Sequence, residues 1–80
     1  MSRYMLHHRH EPPECRAAFA AWSGFSSPLR GRPAVASCLF GDHQIWWEVD
    51  ATSDVEALDQ LPRYVAARTT AIRVGEVATP

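Results

Sequence analysis

The order in which strand-like and helix-like segments follow one another restricts the fold of this 80-residue chain more than any other feature. Residues 3 to 9 have strand character, and residues 34 to 40 and 45 to 49 form two further strand-like runs around a short polar turn. Segments with helical spacing separate these strands and precede a last strand at residues 70 to 77. The predicted order is strand, helix, strand, strand, helix, strand, within a single domain over residues 1–80.

The first helix is predicted from an apolar stripe that follows a proline-containing first turn. Its members stand at positions i, i+3, i+4 and i+7, and they are Cys15, Ala18, Phe19 and Trp22. Gly24 is the expected end of this helix. The following residues 25 to 33 are rich in serine, glycine and proline, and they are predicted to form a long loop.

The second helix is predicted to begin at Ser53, because Ser53 and Glu56 have the spacing of a capping box. The residues expected to face the core from this helix are Val55, Leu58 and Leu61. Pro62 is expected to break or kink it, because proline cannot donate the hydrogen bond that a helix interior needs.

This order predicts an α+β, ferredoxin-like βαββαβ fold, in which both helices cover one face of a four-stranded antiparallel sheet. Strand alternation places Ile45, Trp47 and Val49 on one face of the sheet and Trp46 on the other. One tryptophan of the adjacent pair should therefore lie on the uncovered face. We expect a second subunit to bury that face, giving a homodimer that could form an α+β barrel.

Composition excludes two classes of partner. Eight basic residues against nine acidic ones leave a net charge of −1, which offers no electrostatic attraction for nucleic acid. No apolar run approaches the length of a membrane span, and the first residues do not resemble a signal peptide, so no membrane partner is expected. The chain is predicted to be cytoplasmic, where its two cysteines would be free thiols, metal ligands or redox-active groups.

Histidine and cysteine residues are predicted to converge at one end of this fold. The end of the first strand, the first turn of the first helix and the tip of the hairpin all lie there. The candidate metal ligands at these places are His8, His10, Cys15, Cys38 and His43. Imidazole and thiolate donors suit Zn²⁺ best, with Ni²⁺ as a less favoured occupant.

Other roles for these side chains stay open. Within a regular strand, His8 and His10 share a face that His7 opposes, so all three cannot join one site. Cys15 and Cys38 both lie in apolar segments and could be buried core residues. His7, His8 and His10 could equally be a solvated strand end, and His43 could be a polar turn residue. The chain has no CxxC or HExxH motif, so no local spacing strongly indicates a metal site.

The chain resembles the small bacterial proteins, common in actinobacteria, of the dimeric ferredoxin-like or α+β-barrel group. Within that group it is similar to a nickel-binding subfamily through Met5-Leu6-His7-His8, where histidines stand near the end of the first strand. The resemblance implies a dimer and a metal role for His7 and His8. Cys15, Cys38 and the kinked second helix depart from that subfamily, so the identity of the metal does not carry over.

Two further functions compete with metal binding. A pocket between the sheet and the helices could bind a small molecule or perform cofactor-independent chemistry, as in α+β-barrel oxygenases and isomerases. The residues predicted to line it are Trp22, Trp46, Trp47 and Tyr64. Alternatively, the dimer could serve only as a structural partner of another protein.

Overall fold

The computed structural model describes all 80 residues and shows an α+β fold, with a four-stranded antiparallel sheet and several short helices. The strands are β1 (Ser2–Arg9), β2 (Val35–Ala36), β3 (Gln44–Ala51) and β4 (Thr69–Val74). The helices are α1 (Cys15–Ala20), α2 (Asp54–Leu58) and α3 (Arg63–Ala66), and short 3₁₀ turns occupy Pro12–Glu14 and Cys38–Phe40.

The sheet has the strand order β2-β3-β1-β4, and each neighbouring pair of strands is antiparallel. β1 and β3 pair over their full lengths, with Leu6 opposite Trp47 and His8 opposite Ile45. β4 pairs with the other side of β1, whereas β2 reaches only Ile45 and Trp46 of β3. The histidines of β1 therefore lie in the middle of the sheet, flanked by a strand on each side.

The core forms on one face of the two central strands. Ile45, Trp47 and Val49 are buried while Trp46 is half-buried and Glu48 is exposed, so the predicted alternation along β3 is confirmed. Alternate residues of β1 are buried in the same way. The ten residues of the core cluster are Tyr4, Leu6, Leu29, Ile45, Trp47, Val49, Ala51, Ala57, Leu61 and Val65.

The first helix is shorter than predicted from the apolar stripe that runs from Cys15 to Trp22. α1 ends at Ala20, and Trp22 lies in a turn in which its N–H donates to the carbonyl of Phe19 at 3.3 Å. Only Ala18 of α1 is buried, and Phe19 is 54% exposed. Gly24, with a φ of 74°, completes the reversal of the chain in a conformation that favours glycine.

The second helix begins where the sequence predicts, because the Ser53 hydroxyl accepts the N–H of Glu56 at 3.1 Å. The prediction that Val55 faces the core is wrong, since its side chain is 64% exposed. Ala57 supplies the buried position instead, and Val55 lies about 200° around the helix from it. Pro62 separates α2 from α3, as predicted.

The second strand is much shorter than the predicted residues 34 to 40. The hairpin closes early, because the N–H of Ser37 donates to the carbonyl of Gln44 at 2.9 Å and the N–H of Phe40 donates to the carbonyl of Ser37 at 2.9 Å. These bonds turn the chain into a 3₁₀ segment at Cys38–Phe40. Cys38 consequently lies outside the strand in which it was expected.

None of the helices has the length and apolar character needed to cross a lipid bilayer.

Candidate metal centre

The three neighbouring histidines divide between the two faces of the sheet, as the strand period predicts. His8 is fully buried and His10, just beyond the end of β1, is 3% exposed. His7 lies on the opposite face, where its ring stacks on Trp46 at a centroid distance of 5.1 Å. Nε2 of His7 lies 2.7 Å from Oε1 of Gln44, so this imidazole has a polar partner outside the core.

A cluster of three potential metal ligands forms beyond the ends of β1 and β3. One ring nitrogen each from His10 and His43 and the Sγ of Cys15 all lie within 4.8 Å of one another. These residues come from three separate segments, since Cys15 begins α1 and His43 directly precedes β3. We call these three residues the His/Cys/His cluster.

Hydrogen bonds donated by backbone N–H groups hold the segments of the cluster in place. The N–H of His10 donates to the carbonyl of His43 at 3.1 Å, which extends the pairing of β1 and β3 into the cluster. The carboxylate of Asp42 accepts the N–H of His43 at 2.9 Å. Glu14 accepts the N–H of Glu11 at 2.9 Å, and this bond fixes the short turn that leads to Cys15.

Two ring nitrogens on histidines of the cluster are buried and have no hydrogen-bond partner. They are Nε2 of His10 and Nδ1 of His43, and no other buried side-chain nitrogen or oxygen atom of the protein lacks a partner. Burying a polar atom without a partner is costly, and such atoms are rare in folded proteins. Coordination of a metal ion would give a partner to a ring nitrogen that carries a lone pair.

Burial also affects the charge of His8 and His10, the two histidines on the buried face of the sheet. It lowers the pKa of His8 below the ordinary 6.5, and the effect outweighs the hydrogen bond to Val65, which acts in the opposite direction. Burial lowers the pKa of His10 as well, and the neighbouring His43 lowers it further. Both rings therefore favour the neutral form, in which an imidazole can bind a metal.

An ion pair lies beside the cluster. Arg68 approaches the same carboxylate oxygen of Glu14 with two guanidinium nitrogens, at 2.8 and 2.9 Å. The hydrogen bond from Arg68 lowers the pKa of Glu14 below its ordinary value. Arg68 also lies 3.7 Å above the ring of Tyr64, so this arginine joins the start of the first helical segment to α3.

The structure brings together three of the five predicted ligands. His8 is not a member of the cluster but contacts one of its histidines, with its Nε2 at 2.8 Å from Nδ1 of His10. Cys38 is not part of the cluster, because the early closure of the hairpin places it against the core. Both cysteines are free.

The four predicted pocket residues do not line one cavity. Trp22 and Trp47 line an apolar cavity of about 460 Å³ between α1 and the hairpin, and Cys38 also contributes to it. Trp46 and Trp47 both border a second and more polar cavity of about 630 Å³ beside the open edge of β3. Tyr64 lines none of the cavities and packs under Arg68 instead.

Sequence reasoning missed the contacts that surround the cluster. Glu14 and Arg68 are 54 residues apart along the chain, and His8 is 61 residues from Thr69, one of its partners. No local spacing connects such residues, so only the folded chain brings them together.

The chain matches no protein-family model, no curated protein and no solved structure at a significant level.

Proposed function

We propose that this protein binds a transition metal ion, Zn²⁺ in the first place, through His10, Cys15 and His43. The observation that carries the proposal is the pair of buried, unpartnered imidazole nitrogens beside a cysteine thiol. Two imidazoles and one thiolate are donors that zinc accepts in tetrahedral sites. Ni²⁺ is the second metal we expect, because its preferred ligands include imidazole.

The dimensions of the cluster support this proposal. Ligand atoms around a tetrahedral zinc ion are about 3.3–3.7 Å apart when the bonds are about 2.0–2.3 Å long. The cluster atoms lie within 4.8 Å of one another, so contraction of at most about 1.5 Å would complete the site. Three protein ligands leave a fourth position for water or for a donor from another molecule.

Metal analysis of protein purified without an affinity tag tests the proposal. We expect about one zinc ion per chain, and loss of that ion in Cys15→Ser. The matched control is Cys38→Ser, because Cys38 is the only other cysteine and lies outside the cluster. Absence of zinc and nickel from the unmodified protein, or equal metal content in the Cys15→Ser variant, would contradict the proposal.

A ferredoxin-like fold and a homodimer are further parts of the proposal. The element order and the strand order β2-β3-β1-β4 support the ferredoxin-like arrangement and the resemblance to the dimeric α+β-barrel group. Exposed apolar side chains favour association, and the largest of them along the hairpin are Val35, Leu39 and Phe40. Sedimentation equilibrium should give the mass of two chains, whereas the mass of one chain would count against the dimer.

A reducing compartment such as the cytoplasm suits this protein, because both of its cysteines are free and the proposed site needs a reduced Cys15.

A second candidate function is binding of a small molecule in the apolar cavity of about 460 Å³. Arg30 and Arg32 stand at this cavity and form no ion pair with any acidic side chain, so they favour a ligand with an apolar body and an acidic group. Anilinonaphthalene sulfonate is a suitable probe, and its uncharged parent phenylnaphthylamine is the control. Preferential binding of the sulfonate, weakened in Arg30→Gln/Arg32→Gln, is expected, and equal binding of both dyes would oppose this candidate.

A further inference from the structure

His8 connects the His/Cys/His cluster to α3 and to the edge strand β4, and both of its ring nitrogens have partners. Its Nε2 lies 2.8 Å from Nδ1 of His10. Its Nδ1 lies 3.2 Å from the carbonyl oxygen of Val65 and 3.1 Å from Oγ1 of Thr69. Because His8 is fully buried, these protein groups and not solvent determine where its ring protons lie.

The partners of Nδ1 determine the tautomer of His8. A carbonyl oxygen can only accept a hydrogen bond. The hydroxyl of Thr69 donates its single hydrogen to that same carbonyl of Val65 at 2.7 Å, so its oxygen can only accept from His8. Nδ1 of His8 must therefore carry the hydrogen, and in the neutral ring Nε2 becomes the acceptor.

The tautomer of His10 follows from the tautomer of His8. With Nε2 of His8 as the acceptor, Nδ1 of His10 is the donor across the 2.8 Å contact. A neutral His10 then has its lone pair on Nε2. This is the buried nitrogen without a partner, on a histidine of the His/Cys/His cluster.

We infer that His8 is a positioning residue for the metal site, which holds His10 in the tautomer whose Nε2 lone pair is free for the ion. The inference rests on the proposed function, since it concerns the affinity of that same site. Metal-binding histidines commonly donate their other N–H to a fixed acceptor, and loss of such an acceptor weakens metal binding by about 10–100-fold. In this protein the acceptor is a second imidazole, itself fixed by a backbone carbonyl and a threonine hydroxyl.

The tautomers can be measured directly in the unmodified protein without metal. Two-bond proton–nitrogen correlation spectra of protein with ¹⁵N-labelled histidine distinguish a protonated Nδ1 from a protonated Nε2. We expect the Nδ1–H form for both His8 and His10. An Nε2–H form of His10 would overturn the inference, whether or not the protein binds zinc.

Three variants separate the positioning role of His8 from a purely structural role. His8→Leu removes the acceptor, His8→Gln keeps an oxygen that can accept from His10, and His7→Leu changes the neighbouring histidine on the other face. We expect the zinc dissociation constant, measured by competition with a chelating dye, to rise about 10–100-fold in His8→Leu. His8→Gln should recover most of that loss, and His7→Leu should bind zinc as the unmodified protein does.

The outcomes distinguish the two proposals. If the unmodified protein binds zinc but His8→Leu binds it equally well, or if His8→Gln loses as much affinity as His8→Leu, the positioning role is overturned and the metal site remains. If the unmodified protein binds no zinc, the proposed function fails. If His8→Leu does not fold, the tautomers of the unmodified protein decide the matter.

Discussion

The histidines on the two faces of β1 differ in whether their ring nitrogens have hydrogen-bond partners. On one face, His7 stacks on Trp46 and has the amide oxygen of Gln44 as a polar partner. On the other face, the hydrogen-bonded chain through His8 ends at Nε2 of His10, which is buried and has no partner. His7 has a polar partner, whereas Nε2 of His10 has none. A binding site is therefore indicated by unsatisfied atoms rather than by the number of histidines.

The largest expected difference between the faces is in metal affinity. His10→Gln should raise the zinc dissociation constant by more than about 100-fold. Loss of a ligand should weaken binding more than loss of a residue such as His8, which only hydrogen-bonds a ligand. His7→Gln is the matched control and should leave the dissociation constant unchanged. Isothermal titration with zinc measures both variants, and similar losses in the two would remove the distinction between the faces.

Zinc should also stabilise the fold, since the cluster joins α1 to the ends of β1 and β3. Free zinc at about 100 times its dissociation constant should add about 2.7 kcal/mol to the free energy of unfolding. For a domain of this size, that corresponds to a rise in Tm on the order of 10–20 °C. Calorimetry should show this rise in the unmodified protein and in His7→Gln, but no rise in Cys15→Ser.

The metal-free protein should lose stability in mild acid. Burial lowers the pKa of His8 and His10 below 6.5 in the folded state, so the unfolded chain binds more protons as the pH falls past that value. Stability is therefore complete above about pH 6.5 and declines below it. Urea unfolding with a chelator present, at pH 7.5 and pH 5.5, should show a lower midpoint in acid, and an equal or higher midpoint would contradict the burial argument.

The smallest expected effect concerns the ion pair beside the cluster. Glu14→Gln removes the charge that pairs with Arg68 and should lower the unfolding midpoint slightly at neutral pH, since the pair is partly exposed. Because Arg68 lowers the pKa of Glu14, this contribution is present above about pH 4.5 and is lost as the pH falls further. The difference between the unmodified protein and the variant should therefore shrink in acid, and a constant difference would indicate a role for Glu14 other than its charge.

Local patterns were sufficient for part of the fold. The alternation of Ile45, Trp47 and Val49, the cap at Ser53 and the break at Pro62 depend on neighbours in the sequence, and the structure confirms each of them. The length of the second strand could not be predicted, because the bonds between Ser37 and Gln44 compete with continued pairing. The prediction that Val55 faces the core is wrong because α2 has only five residues. The spacing of apolar residues in so short a helix does not determine which side is buried.

The candidate site was predictable only as a set of residue types near one end of the sheet. Strand period was enough to separate His7 from His8, and the topology brought His10, Cys15 and His43 together. The role inferred for His8 depends on Val65 and Thr69, which lie far along the chain and on other elements. Contacts between residues so far apart cannot be predicted from the spacing of residues within one segment.

X-ray absorption at the zinc edge of the untagged, zinc-loaded protein tests the central claim most directly. We predict one sulfur neighbour at about 2.3 Å and two imidazole nitrogens at about 2.0–2.1 Å, with a further light atom completing the shell. The same measurement on Cys38→Ser should keep the sulfur neighbour, because Cys38 lies outside the cluster. A zinc shell without sulfur in the unmodified protein, or with two sulfur neighbours, would contradict a site built from His10, Cys15 and His43.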